Sequence, residues 1–133
     1  MPSVFSRIVS GEIPAWKVAE TSDFLAFHDV FPLVKGHILV IPKKETDYIF
    51  DIESKEYAAL FLFAKKVAVA VKAVIPCKKV GIAVIGLEVP HAHIHLVPMN
   101  EMDDINFSRP KIKLADEEMS SICKAISEEF NKM

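Results

Sequence analysis

The chain has 133 residues, 51% of them hydrophobic and 26% charged, with a formal net charge of −2 at pH 7. That length and balance predict one domain, residues 1–133, with a core of its own. The near-neutral charge gives no reason to expect non-specific binding to nucleic acid or acidic membranes, and leaves room for a local basic pocket.

The opening residues MPSVFSRIVSG lack a long apolar stretch, so no export signal is read there and a cytoplasmic location is expected. Ser3 is placed to cap a short helix with Val4, Phe5 and Ile8 on one side, and Gly11 to end it. Trp16–Glu20 and Phe24–Asp29 read as a hairpin around the turn Thr21-Ser22-Asp23. His37–Ile41, an apolar run rich in β-branched residues and stopped by Pro42, reads as a buried strand. A long helix is predicted over Lys55–Val74, with Ser54 as cap and Pro76 beyond its end. Lys65, Lys66 and Lys72 exclude that stretch as a membrane span.

On the helical wheel Leu62 and Val69 fall inside the face that carries Lys55, Lys65, Lys66 and Lys72. Two readings stand at this point: scattered surface apolar residues, or a face covered by a partner chain. Val80–Ile85 and His91–Val97 follow as strands, then a polar segment, Asn100–Lys113. A last helix is predicted over Glu117–Phe130, capped by Asp116, with Met119, Ile122, Cys123, Ile126 and Phe130 on one face. Cys77 and Cys123 form no CxxC; nothing supports a disulfide between them, and they read as two buried free thiols. This order of elements predicts an α+β fold with a mainly antiparallel sheet.

The segment PHAHIHLVPM, Pro90–Met99, holds three of the five histidines. Strand alternation puts His91, His93 and His95 on one face, neighbours about 7 Å apart, and Ala92, Ile94 and Leu96 on the other, in the core. Three adjacent imidazolium charges would repel, so such a row suits a site that receives a metal or an anion. The metal reading is thin, because His28 and His37 lie alone in sequence and no cysteine pair adds ligands. Phosphoryl chemistry explains the row better. A neutral imidazole is a nucleophile near pH 7, and its neighbours donate hydrogen bonds to phosphate oxygens or protonate a leaving group.

HAHIHLV fits the pattern His-φ-His-φ-His-φ-φ, where φ is apolar, and resembles the histidine-triad (HIT) superfamily of nucleotide hydrolases and transferases. SVFSRIVSGEIPAWKVAET and FLAFHDVFPLVKGHILVIPKK resemble the corresponding segments of its Hint-like branch, so the resemblance runs from Val4 to Pro98. It implies an α+β HIT-like fold: a five-stranded antiparallel sheet with a long helix and a short N-terminal helix, its core about residues 3–99. Residues 100–133 form an extension ending in a C-terminal helix. It implies His93 as the nucleophile at an α-phosphate, His95 as a phosphate contact and His91 as a supporting group. Asp29 matches the acceptor of the ribose hydroxyls. Phe5, Ile8, Phe27 and Val30 match the walls of a base pocket, and His28 is either structural or part of its rim.

The resemblance further implies a purine nucleotide substrate, no cofactor, and a homodimer whose sheet continues across the interface between long helices. Two departures stand out. Where zinc-binding relatives carry Cys-x-x-Cys and a further histidine, this chain has Ser3, Ser6 and Glu45, leaving His91, so no structural zinc is expected. The segment AVIGLEVP is shorter than usual, with Val84 at an expected Asn and Leu87 and Glu88 near an expected Gln and hydroxyl residue. With the resemblance three functions stay open: a nucleotidyl-transferring enzyme and a nucleotide-binding module without useful catalysis, both implied by it, and a metal-binding protein, which the histidine row alone allows.

Overall fold

The Ser3 side chain accepts the Ser6 N–H and starts helix α1, Val4–Val9, which buries Phe5 and Ile8. Gly11, at φ +84°, turns the chain out of it. These and the following elements come from a computed structural model that describes residues 2–133.

Strands β1 (Trp16–Glu20) and β2 (Phe24–His28) form the expected hairpin. Its turn is held by the Thr21 hydroxyl, which accepts the Phe24 N–H at 3.0 Å. β3 (Ile38–Pro42), β4 (Lys79–Ala83) and β5 (Ile94–Met99) complete one five-stranded sheet, in the order β1-β2-β3-β5-β4. Every neighbouring pair is antiparallel. The predicted α+β class and five-stranded antiparallel sheet are found.

The two sheet faces have different cover. Ala26, Ile38, Val40, Ile94 and Leu96 point to one face, where helices α2 (Ser54–Val74) and α3 (Asp116–Asn131) bury them. α2 supplies Leu60, Phe63, Ala64, Val67, Ala70 and Val71, the spacing of a single helical stripe. α3 supplies the five predicted residues Met119, Ile122, Cys123, Ile126 and Phe130, and the Phe130 ring meets Phe63 edge-on at 5.7 Å. Leu25, Phe27, Leu39 and Ile41 point to the other face, which α1 covers only in part with Phe5 and Ile8. The half-covered face is where the histidine row lies.

Several boundaries differ from the sequence reading. β2 ends at His28, not Asp29: the Asp29 N–H still donates to the His37 carbonyl, but the His37 N–H turns to the Val34 carbonyl, so the next pair is left half made. β3 starts at Ile38 and includes Pro42, which lacks an N–H but pairs at the strand's end. β4 is Lys79–Ala83 instead of Val80–Ile85. Glu53, not Ser54, caps α2, its carboxylate accepting the Lys55 N–H. α3 follows Ala115, with Asp116 its first residue. Within the polar segment, Met102–Ile105 forms a turn of 3₁₀ helix. Cys77 and Cys123 are free thiols; Cys123 is buried, which pushes its thiol up to about 12, whereas Cys77, expected to be buried, is only half-buried in the connection after α2. Among the described residues no helix is long and apolar enough to cross a membrane.

Candidate active site

The last strand was expected over His91–Val97, yet the ladder begins at Ile94. The backbone groups before it are used elsewhere: His91 N–H donates to the Val89 carbonyl at 2.8 Å and Ala92 N–H to the Thr46 carbonyl at 2.7 Å. The histidine row therefore straddles the end of a strand. Its rings still form a continuous set. His93 and His95 lie 4.9 Å apart between centroids, and Phe5 of α1 stands edge-on to His93 at 5.0 Å and to His91 at 5.8 Å. His91 is 0%, His93 7% and His95 8% exposed.

Partners that can only donate or only accept decide where each imidazole proton sits. His93 Nδ1 lies 2.8 Å from the His91 carbonyl, so Nδ1 carries the proton and Nε2 keeps its lone pair. His91 Nε2 donates to the Pro42 carbonyl at 2.8 Å, so its Nδ1 accepts the Ser3 hydroxyl at 2.8 Å. The Leu33 N–H donates to His37 Nδ1 at 3.0 Å. The His37 proton is thus on Nε2, from which it donates to His95 Nδ1 at 2.9 Å. His95 in turn carries its proton on Nε2. The row presents one bare nitrogen, on His93, beside one N–H donor, on His95.

Burial favours the neutral form of His37, His91 and His95. Desolvation first, then neighbouring imidazoles, lowers His37 and His95 to about 3. Burial also lowers His91, against the opposing pull of its bond to Pro42 and of Glu45. His37 was the residue the sequence reading left aside. Only the antiparallel pairing of β3 with β5, which sets Leu39 opposite His95, brings it to the row. Phe107, from the segment after β5, lies edge-on to His95 at 4.8 Å; a lone aromatic in NFSRPKIK was its sole sequence signal.

Asp29 is at the same end of the sheet. Its Oδ1 accepts the Phe31 N–H at 2.9 Å, and its Oδ2 lies 3.7 Å from His37 Nε2. Because His37 is neutral, this approach is not an ion pair. Phe5, Ile8 and Phe27 are buried together beside the row. Val30 is 57% exposed at the surface next to Asp29. His28 is fully buried on the helix-covered side, with Nδ1 donating to the Asp29 carbonyl and Nε2 accepting the Gly36 N–H, so both ring nitrogens serve the backbone. Leu87 and Glu88 stand exposed, while Val89 packs back against the Phe5 cluster.

Ser3, Ser6, Glu45 and His91 converge at the start of α1. Glu45 Oε1 accepts the Ser3 N–H at 2.7 Å and the Ser6 hydroxyl at 2.6 Å. The Ser3 N–H first, then Ser6, holds the Glu45 carboxyl down at about 2. Ser3 passes the connection on to His91.

Residues 10–102 match the HIT domain family model. The chain is 33% identical over 133 residues to adenosine 5′-monophosphoramidase hnt1 of Schizosaccharomyces pombe, covering 96% of this chain and 97% of that protein. It is 32% identical over 132 residues to an uncharacterized HIT-like protein of Borreliella burgdorferi, covering 93% and 95%. In structure it resembles a HIT-like protein involved in cell-cycle regulation from Bartonella henselae, with a TM-score of 0.83, 26% identity, and 96% and 95% coverage. It also resembles a zinc-bound histidine triad family protein from Mycobacterium smegmatis, with a TM-score of 0.79, 25% identity, and 97% and 93% coverage.

A five-stranded antiparallel sheet with a histidine row at its half-covered face defines the HIT class. This chain belongs to the HIT family, whose members include nucleotide-binding proteins and hydrolases.

The donor chemistry here does not fit zinc. The serine cluster offers no thiolate, and its Ser3 hydroxyl and His91 Nδ1 already satisfy each other. Asp29, His37 and His95 also place three donor atoms within 4.8 Å of one another. There the Leu33 N–H forces the His37 proton onto Nε2, the atom that would have to bind the metal.

Proposed function

We propose that the chain hydrolyses or transfers at the α-phosphate of a purine nucleoside 5′-phosphoryl compound, through a nucleotidyl intermediate on His93. The observation that carries this reading is the His93 tautomer, with Nδ1–H spent on the His91 carbonyl and Nε2 bare among buried rings. His95 Nε2–H supplies a donor for a phosphate oxygen, and His37 fixes that orientation. Asp29 suits a vicinal diol, since its two oxygens accept two hydrogen bonds.

In the first step Nε2 bonds to phosphorus and the bond to the leaving group breaks. A phosphoramidate nitrogen departs with a proton taken from solvent. In the second step water bonds to phosphorus and loses a proton, and the nitrogen–phosphorus bond breaks to release the nucleoside monophosphate and restore His93. A phosphoramidate is the first substrate class, in keeping with the activity named for the fission-yeast relative, and a dinucleoside polyphosphate the second.

The test is to mix the protein with adenosine 5′-phosphoramidate, quench in base and weigh it. One added adenylyl group on the wild type, absent from His93→Ala, with AMP accumulating, is the expected result. The segment around Leu87 and Glu88, both exposed, favours a second reading: a binding module that holds AMP without turnover. AMP binding with neither adduct nor product would decide for it.

A further inference from the structure

The chain after β5 does not leave the site. Phe107 packs edge-on to His95 at 4.8 Å and to His37 at 6.2 Å. Five residues on, the Ile112 N–H donates to the Pro32 carbonyl at 2.9 Å, pinning the segment to the loop that follows Asp29. Lys111 lies between these two anchors. Its Nζ donates to the Phe107 carbonyl at 2.9 Å and to the Arg109 carbonyl at 3.4 Å. An ammonium has three N–H groups, so one remains for a ligand.

Arg109, the other cation between the two anchors, is neutralised. Arg109 Nη1 reaches Asp103 Oδ2 at 3.5 Å and Asp104 Oδ1 at 3.4 Å. Lys35 is paired with Glu118, and Lys43 with Glu20. Among the described residues Lys111 has no acidic partner. After burial and neighbouring rings, its charge also helps to hold His37 and His95 neutral. Neutral His91 and His95 cannot balance a phosphate dianion, and the Asp29 carboxylate opposes one. Something must offset that charge, and the 84–90 segment has no basic side chain.

We propose that Phe107–Lys111 is the phosphate-side wall of the site, with Lys111 the cation that meets the anionic oxygens of the bound nucleotide. This rests on the nucleotide reading above and adds the group that recognises its charge. Phe107 holds the wall against His95, and the Pro32 anchor keeps Lys111 beside the Asp29 loop.

The experiment titrates wild type, Lys111→Met and Lys111→Arg with AMP and with adenosine, at low and moderate salt, by calorimetry. Lys111→Met should weaken AMP roughly three- to tenfold, the range of one exposed charge-assisted contact, and leave adenosine within about twofold. Its AMP affinity should also vary less with salt. Lys111→Arg should keep most of the AMP affinity. Equal AMP binding by wild type and Lys111→Met would overturn the assignment of Lys111 alone. A parallel loss of AMP and adenosine would do the same, by making the lysine structural. A wild type that binds neither would overturn the nucleotide reading itself and this wall with it.

Discussion

A carbonyl at His91, a carbonyl at Pro42 and an N–H at Leu33 decide which nitrogens of the site are protonated. Backbone groups cannot change their role with pH, so the tautomers are built in. His37 is the least replaceable link, because among the described residues it alone gives His95 Nδ1 a donor. His37→Ala should lower kcat on a phosphoramidate about tenfold, the worth of one charge-assisted hydrogen bond in the transition state, in steady-state kinetics. Ser3 both caps α1 and donates to His91. Ser3→Ala should cost about 1–2 kcal/mol in urea unfolding. Glu45→Gln should lower the melting temperature as well, since it weakens the acceptor shared by Ser3 and Ser6.

Among the elements, the β2–β3 connection carries the tightest constraint. Gly36 has φ +90°, and a Cβ there would stand 2.7 Å from Ile75 Cγ1 and 3.0 Å from Pro98 Cγ. Its N–H also holds His28 in place. Gly36→Ala should destabilise by about 2–4 kcal/mol, from left-handed strain and overpacking together. Gly81→Ala on β4 should cost less, because its Cβ first meets the flexible Met99 side chain. Equal losses in denaturant would contradict this account of the connection.

For the whole molecule, four buried histidines set the response to acid. His28, His37, His91 and His95 all have lowered pKa values, desolvation being the first cause in each. Above about pH 6.5 these rings are neutral whether the chain is folded or not, and they impose no penalty. Below it the unfolded chain takes up protons that the folded chain refuses, so stability falls as pH falls, for His37 and His95 down to about 3. Each such ring contributes a slope of about 1.4 kcal/mol per pH unit within its window. Glu45 acts in the same direction below its ordinary value. Urea unfolding at pH 7.5, 6 and 5 should show this decline, and a flat profile would refute it. A homodimer, as the family resemblance implies, would use α2, where Leu62 and Val69 are 65% and 53% exposed. Leu62→Glu combined with Val69→Glu should then give a monomer in sedimentation.

Much of this was legible in the chain itself. The α1 cap, the hairpin turn, the long helix, the apolar stripe of α3 and the histidine row all follow from local chemistry: a side-chain oxygen before a helix, period 2, period 3.6. Residues 92, 94 and 96 were read as core by alternation alone, and all three are buried. The tertiary structure decided the rest. His37 joins His95 across 58 positions, and Ser3 joins His91 across 88. Phe107 and Lys111 reach the row only because the chain after β5 folds back and is tied to Pro32. It also cut the last strand short at Ile94, since Thr46 and Val89 had claimed the preceding N–H groups. Local patterns report which face a residue takes within its own element. Which partner waits across the sheet, and therefore which nitrogen holds the proton, depends on strand pairing between segments far apart in sequence.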